Sequence, residues 1–558
     1  MRVALDQTFE GIAVARGRAC AAGRRLALGA LAALPLALLG GCGSEAAAST
    51  GAESVDAATA AAPLAAPADE PRQQDKRTAA DQRDAGLEAD LRELVDVWYL
   101  RARNATKRPL PSDEVRVSIS VRDARTGAVV ADVRAGRSLR PASNLKLVTA
   151  AAGLYLLGPE GQFATRYELG GPIEDGVLRG GLVVRAGGDP IVRDGSFGAV
   201  EGYFDVLAAE LAQRGVRRIA GAVVLDEADY LEPGPGPAWP SKDQHWKDYC
   251  ALAAGLTING GVLEAVVTTH TGASHASVEL HPAPTGLPTS IGVRQVPGRL
   301  NDVRVGATVS KVTVGGKLGE AVPRIEAAFR HPDPIALFGS VLEARLARAQ
   351  IAIDGGVARR RGPPAGEHLV TITSPITDSL VPINTHSNNS VADQLFLKLG
   401  SDFGGGGTRA GGLAALRLAL DRLGVSTQGL RAVDGSGLSR DNRVSPAQLT
   451  ALLWSVLGDL GQPGRQGEAA ELYLDSLAVM GRSGTLEGRM RGTPAEGAVF
   501  AKTGFIDGTS GLSGWLQDAS GRPLVFSILV NYPTVGGLNN KAWKPMQEAM
   551  VARLLEAR

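Results

Sequence analysis

Apolar positions from residue 86 onward follow two rhythms. Leu91, Leu94, Val95 and Trp98 recur at helical spacing and predict a helix over Leu87–Arg103. Val115, Val117, Ile119 and Val121 alternate as a strand, and Gly127–Val130 begins its hairpin partner. The apolar, alanine-rich run Leu145–Leu157 predicts a second helix. Between about 170 and 343 the pattern breaks into short strands separated by Gly, Pro and Asp turns: Gly181–Arg185, Ala222–Leu225, Ala265–Thr269 and Ser277–Leu280. Helical periodicity returns over Ile335–Ala349, Ser390–Leu399, Gly412–Leu423, Pro446–Leu457 and Glu468–Met480. A hairpin, Thr509–Gln517 with Leu524–Asn531, and an amphipathic helix over Ala542–Leu555 end the chain. This order predicts an α+β fold with helices packed on an antiparallel sheet. Residues 86–170 and 344–558 would form one discontinuous domain, with 171–343 a mainly β insert.

The N-terminal segment carries a different pattern. Arg16, Arg18, Arg24 and Arg25 precede an apolar run, Leu26–Leu39, that has signal-peptide length and is short for a transmembrane span. It ends in Leu39-Gly40-Gly41-Cys42, which resembles a bacterial lipobox. Residues 1–42 then read as a lipoprotein signal whose Cys42 becomes lipidated, giving a membrane anchor. Gly43 offers no evident inner-membrane retention signal, which leaves the outer membrane open where the cell has one. Residues 43–85, rich in Ala, Pro, Ser, Asp and Glu, hold too few large apolar side chains to offset ordering entropy and read as a tether.

Composition narrows the function by exclusion. With 59 Lys+Arg against 58 Asp+Glu the net charge is +1, which argues against nucleic acid as a partner. Three cysteines cannot build a disulfide scaffold or a four-cysteine metal site. None of the seven histidines forms a helical i,i+4 pair, so no metal site or cofactor is expected. The run Gly404–Gly407 lacks a following Gly-Lys-Ser/Thr and reads as a flexible helix–helix connection.

Three short motifs carry the chemistry. Ser143-Asn144-Leu145-Lys146 stands where the apolar helix begins. Ser387-Asn388-Asn389 precedes the helix containing Val391 and Leu395, and Lys502-Thr503-Gly504 precedes the C-terminal hairpin. Ser and Lys at i,i+3 share a helix face, so the amine can reach the hydroxyl. A serine hydroxyl needs a neighbouring base to become a nucleophile. For Lys146 to act so, its pKa must fall well below about 10.4. Burial and a second cation both lower it, and Lys502 is the candidate second cation.

The ordered set resembles the serine acyl-transferases that bind penicillin. The long gap from Ser143 to Ser387, filled by a β-rich insert, resembles the D-alanyl-D-alanine carboxypeptidase/endopeptidase family. Gly187-Gly188-Asp189-Pro190, Asp434-Gly435-Ser436-Gly437-Leu438-Ser439, Gly484-Thr485-Leu486 and Leu512-Ser513-Gly514 fit the same family. The resemblance implies a penicillin-binding transpeptidase/β-lactamase-like fold, peptidoglycan stem peptides as substrate, β-lactams as inhibitors and no cofactor. It implies that Ser143 is the acylated nucleophile and Lys146 its base. Ser387 would relay a proton to the leaving amine, and Asn389 would orient Lys146 and the substrate amide. Lys502, Thr503 and Gly504 would form the substrate-carboxylate strand, and the N–H groups of Ser143 and Phe505 the oxyanion hole.

Two positions depart from the family pattern. The middle motif is Ser-Asn-Asn where many relatives have Ser-Asp-Asn, and Phe505 stands where a hydroxyl residue is usual. The second change removes a side-chain hydrogen bond to the carboxylate and keeps a backbone donor. A β-lactamase, which needs a base positioned for deacylation, and a non-catalytic peptidoglycan-binding lipoprotein are the alternative readings. No glutamate stands out for the first, and retention of all three motifs weighs against the second. Asp434 and Ser436 read as a tight loop lining the site. Trp239, Trp246 and Tyr249 are either a glycan or peptide contact or a packing cluster, and Cys250 is a small buried residue.

Overall fold

The computed structural model describes residues 83–557, except 193–194, 197–199, 201, 232 and 462–463. The expected signal, Cys42 and nearly all of the tether lie outside the described residues. Helix α1 (Ala85–Asn104) opens at Asp84, whose carboxylate accepts the Leu87 N–H at 2.8 Å. Strands β1 (Arg116–Asp123) and β2 (Val129–Val133) follow, then α2 (Leu145–Leu157). After the inserted region come α3 (Asn389–Phe403), α4 (Arg409–Arg422), α5 (Pro446–Leu457) and α6 (Arg465–Asp475). The chain closes with β3 (Ala478–Val479), β4 (Val499–Ile506), β5 (Thr509–Gln517), β6 (Pro523–Asn531) and α7 (Lys544–Leu555).

The six strands form one antiparallel sheet in the order β3-β4-β5-β6-β1-β2. Its middle is buried on both faces, and β6 shows why its sequence is almost continuously apolar. Leu524, Phe526, Ile528 and Val530 join the core that includes Leu87 and Leu91 of α1 and Met546 of α7. Val525 and Leu529, one residue out of phase, join the core built on α2 and α5. Helix α2 is the hub of that second core, with every residue from Leu145 to Leu154 buried, Lys146 among them. The α+β architecture read from the sequence is the architecture found.

The ends of several elements differ from expectation. The helix expected over Glu468–Met480 stops at Asp475, because Ala478 and Val479 pair with Ala501 and Phe500 as an edge strand. A helix over Gly202–Gln213, buried along Tyr203, Phe204, Leu207 and Leu211, lies within the region read as strands and turns. The inserted region has its own core, in which helix Pro334–Arg348 packs. A five-stranded sheet there draws in Gln162–Leu169 and Glu367–Pro375, both outside the 171–343 expected for the insert. At its base the Ile376 N–H donates to the Gly161 carbonyl at 2.9 Å, so the two crossings into the insert lie side by side. The Gly404–Gly407 connection is close-packed at its two ends, where a Cβ at Gly404 would lie 2.0 Å from the Gly411 carbonyl oxygen and one at Gly407 2.7 Å from that of Asp229, and open at Gly405.

Candidate active site

Ser143 lies in a single 3-10 turn, Ala142–Asn144, that runs directly into α2. The turn is strained at Ala142, whose φ of 47° is left-handed despite its side chain. Two neighbours hold it by close approach. A Cβ at Gly437 would lie 1.9 Å from the Ala142 carbonyl oxygen, so the 434–439 loop presses on the turn as only glycine permits. Gly504 of β4 and Gly511 of β5, paired in register, leave room for the buried Asn144 side chain, which a Cβ at either would meet within 2.5 Å.

One turn beyond Ser143, at the second residue of α2, the Lys146 ammonium nitrogen is fully buried and has three oxygen neighbours. Nζ lies 3.0 Å from Ser143 Oγ, 2.5 Å from Asn389 Oδ1 and 2.7 Å from the Ser436 carbonyl oxygen. Asn389 Nδ2 donates to the Tyr249 carbonyl at 2.8 Å, which fixes the amide with its oxygen toward Lys146. Donor arithmetic then sets the direction of the lone pair. Asn389 Oδ1 and the Ser436 carbonyl can only accept, so both hydrogens of a neutral amine go to them. The lone pair is left for the Ser143 hydroxyl.

Burial pushes the Lys146 pKa down, opposed by the carboxylates of Asp393 and Asp434. Burial also pushes Asp393 up, with Asp434 adding to the rise and Lys146 opposing it. Lys502 is likewise wholly buried, and burial, then the charge of Lys146, holds its ammonium well below the ordinary lysine value. The repulsion expected between the two amines therefore registers at Lys502. At Lys146 burial is the depressing cause.

The remaining sequence candidates fall around this contact. Lys502 Nζ donates to the Thr503 carbonyl at 3.1 Å, and Thr503 Oγ1 pairs with Thr485 Oγ1 at 2.9 Å. Beyond Ala501, β4 has a strand neighbour only on its β5 side, so Lys502–Ile506 present an open edge. Phe505 on that edge is 53 % exposed. Ser387 is half-buried with a left-handed φ of 61°, two residues before Asn389. Its hydroxyl has no hydrogen-bond partner among the described residues, so it stands in the motif without a bond to Ser143 or Lys146.

Two contributors escaped the sequence reading. Asp393, one helical turn after Asn389, accepts from the N–H groups of Gly435 and Ser436 at 2.8 and 2.7 Å. It thereby sets the Ser436 carbonyl that Lys146 uses. Asp434, expected from the sequence in a tight loop lining the site, folds that loop from within, accepting from Gly437 and Ser439 N–H. The second is the Tyr249 carbonyl, which the inserted region supplies. Its place one helical turn after Asn389, in the helix that the Ser-Asn-Asn motif opens, was the available signal for Asp393. A backbone carbonyl carries none. Trp239 packs edge-on against His245 and Trp246 is exposed, while burial raises the Cys250 thiol to about 11, which keeps it inert. Among the described residues there is no group of side chains able to hold a metal ion, and no helix long and apolar enough to cross a membrane.

The family described as D-Ala-D-Ala carboxypeptidase 3 (S13) matches residues 105–557. The chain belongs to this family. One relative, the D-alanyl-D-alanine carboxypeptidase of Actinomadura sp. (strain R39), is 33 % identical over 476 residues, 80 % of this chain and 82 % of that one. Among solved structures, penicillin binding protein 4 from Haemophilus influenzae superposes with a TM-score of 0.65 at 21 % identity, covering 84 % of this chain and 99 % of that one. The same protein complexed with a β-lactam gives a TM-score of 0.62 at 23 % identity over the same shares. These two structures share the fold of this S13 member.

Proposed function

We propose that this chain is a serine-type D-alanyl-D-alanine carboxypeptidase/endopeptidase of the bacterial envelope. It hydrolyses peptidoglycan stem-peptide termini or cross-links through an acyl-Ser143 intermediate. The observation that carries this reading is the buried Lys146 amine, 3.0 Å from Ser143 Oγ with its other two contacts restricted to acceptors. In acylation the lone pair of neutral Lys146 takes the Ser143 proton as Oγ bonds to the scissile carbonyl carbon. The oxyanion that forms accepts from the N–H groups of Ser143 and Phe505. Collapse breaks the C–N bond, and the proton leaves Lys146 through the free Ser387 hydroxyl to the departing amine. Water then attacks the ester, again with Lys146 as base, and releases the peptide carboxylate and Ser143. The open edge at Lys502–Ile506 receives the substrate backbone, with Lys502 and Thr503 at its carboxylate and Asn389 Nδ2 near its amide.

A β-lactam presents the same carbonyl and carboxylate, and it would leave Ser143 as a persistent acyl ester. Labelling with a fluorescent penicillin tests the reading. The adduct should map to Ser143 and vanish in Ser143→Ala, and its absence from the wild type sinks the proposal. Cys42, lipidated after removal of residues 1–41, would tether the enzyme to the membrane facing the periplasm. Fatty-acid labelling that persists in Cys42→Ala would refute that anchor.

A further inference from the structure

Strand alternation turns Lys502 and Gly504 toward the Ser143 turn and Thr503 and Phe505 the other way. On that other side a cleft of about 560 Å³ opens beside Thr503 and Phe505. Its far wall is a π-helical turn, Asn539–Trp543, and the first residue of α7, Lys544. Two groups on this wall are left incomplete. Asn539 is 7 % exposed and its Oδ1 is buried without a hydrogen-bond partner. A buried amide left unpaired is uncommon enough to need a reason. Lys544 has no ion-pair partner among the described residues. Arg489, which also lines the cleft, is already neutralised by Glu548 at 2.8 Å.

We propose that this cleft is the subsite for the leaving portion of the substrate, and that it selects a leaving peptide bearing a carboxylate remote from the scissile bond. Lys544 pairs with that carboxylate and the Asn539 amide bonds the peptide backbone. The inference rests on the acyl-Ser143 reading, in which Thr503 marks the carboxylate side of the scissile bond. A single D-alanine would fill only a corner of this space, whereas the second strand of a cross-link continues past Thr503 into it. Asp507 also lines the cleft, so its walls carry both signs of charge and suit a peptide rather than a polyanion. The subsite therefore favours cross-link cleavage over removal of terminal D-alanine.

The test uses two cross-linked stem-peptide dimers, one with free carboxyls on the leaving strand and one with those carboxyls amidated. Wild-type enzyme should cleave the free dimer with at least tenfold higher kcat/KM, the difference lying in KM. Lys544→Gln should bring the ratio to within about twofold, and Lys544→Arg should restore it. Asn539→Ala should raise KM for both dimers. Penicillin labelling at Ser143 in each variant reports that the fold is intact. Equal cleavage of the two dimers by wild type, or a preference that survives Lys544→Gln, overturns the subsite while leaving acyl-Ser143 chemistry standing. Loss of the wild-type penicillin adduct together with all cleavage overturns both.

Discussion

Replacing Asn389 by Asp puts a carboxylate where an amide oxygen now lies 2.5 Å from the Lys146 amine. The change is nearly isosteric, so its main effect is one negative charge. Opposite charges at about 4 Å attract by roughly 4 kcal/mol at an effective dielectric near 20. Part of that is lost in burying the new carboxylate, and a close opposite charge typically moves a pKa by about 1–3 units. The sign is upward for Lys146, because the charged amine is now favoured. At any pH below both the old and new values, the neutral base becomes about 10- to 1000-fold scarcer. The assay is the second-order rate of Ser143 acylation by a fluorescent penicillin between pH 6 and 10. The wild-type limb should lie below the ordinary lysine value of about 10.4, as burial dictates. Asn389→Asp should move that limb upward and slow acylation at neutral pH by about the factor above, with recovery in alkali. Asn389→Leu, which removes the acceptor without adding charge, should slow acylation with no upward movement of the limb. An Asp variant that acylates at the wild-type rate at neutral pH would refute neutral Lys146 as the base.

Lys502→Met should trade activity for stability. The folded state holds the Lys502 amine well below its unfolded value, so the unfolded chain binds the extra proton and wild-type stability rises with pH through that window, up to about 10.4. Each unit of depression costs about 1.4 kcal/mol below the window, so melting temperatures at pH 7 should rise in the variant while acylation falls. A variant less stable at pH 7, with an unchanged pH slope, would contradict the burial argument. Gly437→Ala places a Cβ 1.9 Å from the Ala142 carbonyl oxygen at a φ of 83°. It should destabilise by more than about 1 kcal/mol and slow acylation at least tenfold by shifting the Ser143 turn. Wild-type acylation with an unchanged melting temperature would refute that contact.

The parts of the fold legible in the sequence are those whose burial is periodic. β6 alternates between two cores, and α2 is almost wholly apolar because every residue from Leu145 to Leu154 is buried. The site was legible where chemistry constrains residue type at short spacing, as between Ser143 and Lys146. Lys502 could be picked out because lysine is scarce in this chain. What stayed hidden depends on neighbours distant in sequence. Asp393 matters through Gly435 and Ser436 N–H groups, and the Asn389 orientation depends on a carbonyl 140 residues away. The sheet that runs across the expected limits of the insert was hidden for the same reason. Gln162–Leu169 and Glu367–Pro375 form strands with each other, a pairing that no local pattern displays.

That pairing also bears on the order in which the enzyme assembles. Lys146 and Asn389 are 243 residues apart along the chain. Once Gly161 and Ile376 are bonded at the base of the insert, the path between the two shortens to roughly 30 residues. The entropy of closing the catalytic loop then falls by about 2 kcal/mol. Closing the site therefore costs least once the inserted region has folded and drawn its two ends together. A nascent chain thus carries Ser143 and Lys146 early, and completes the contact with Asn389 only when the distant half arrives.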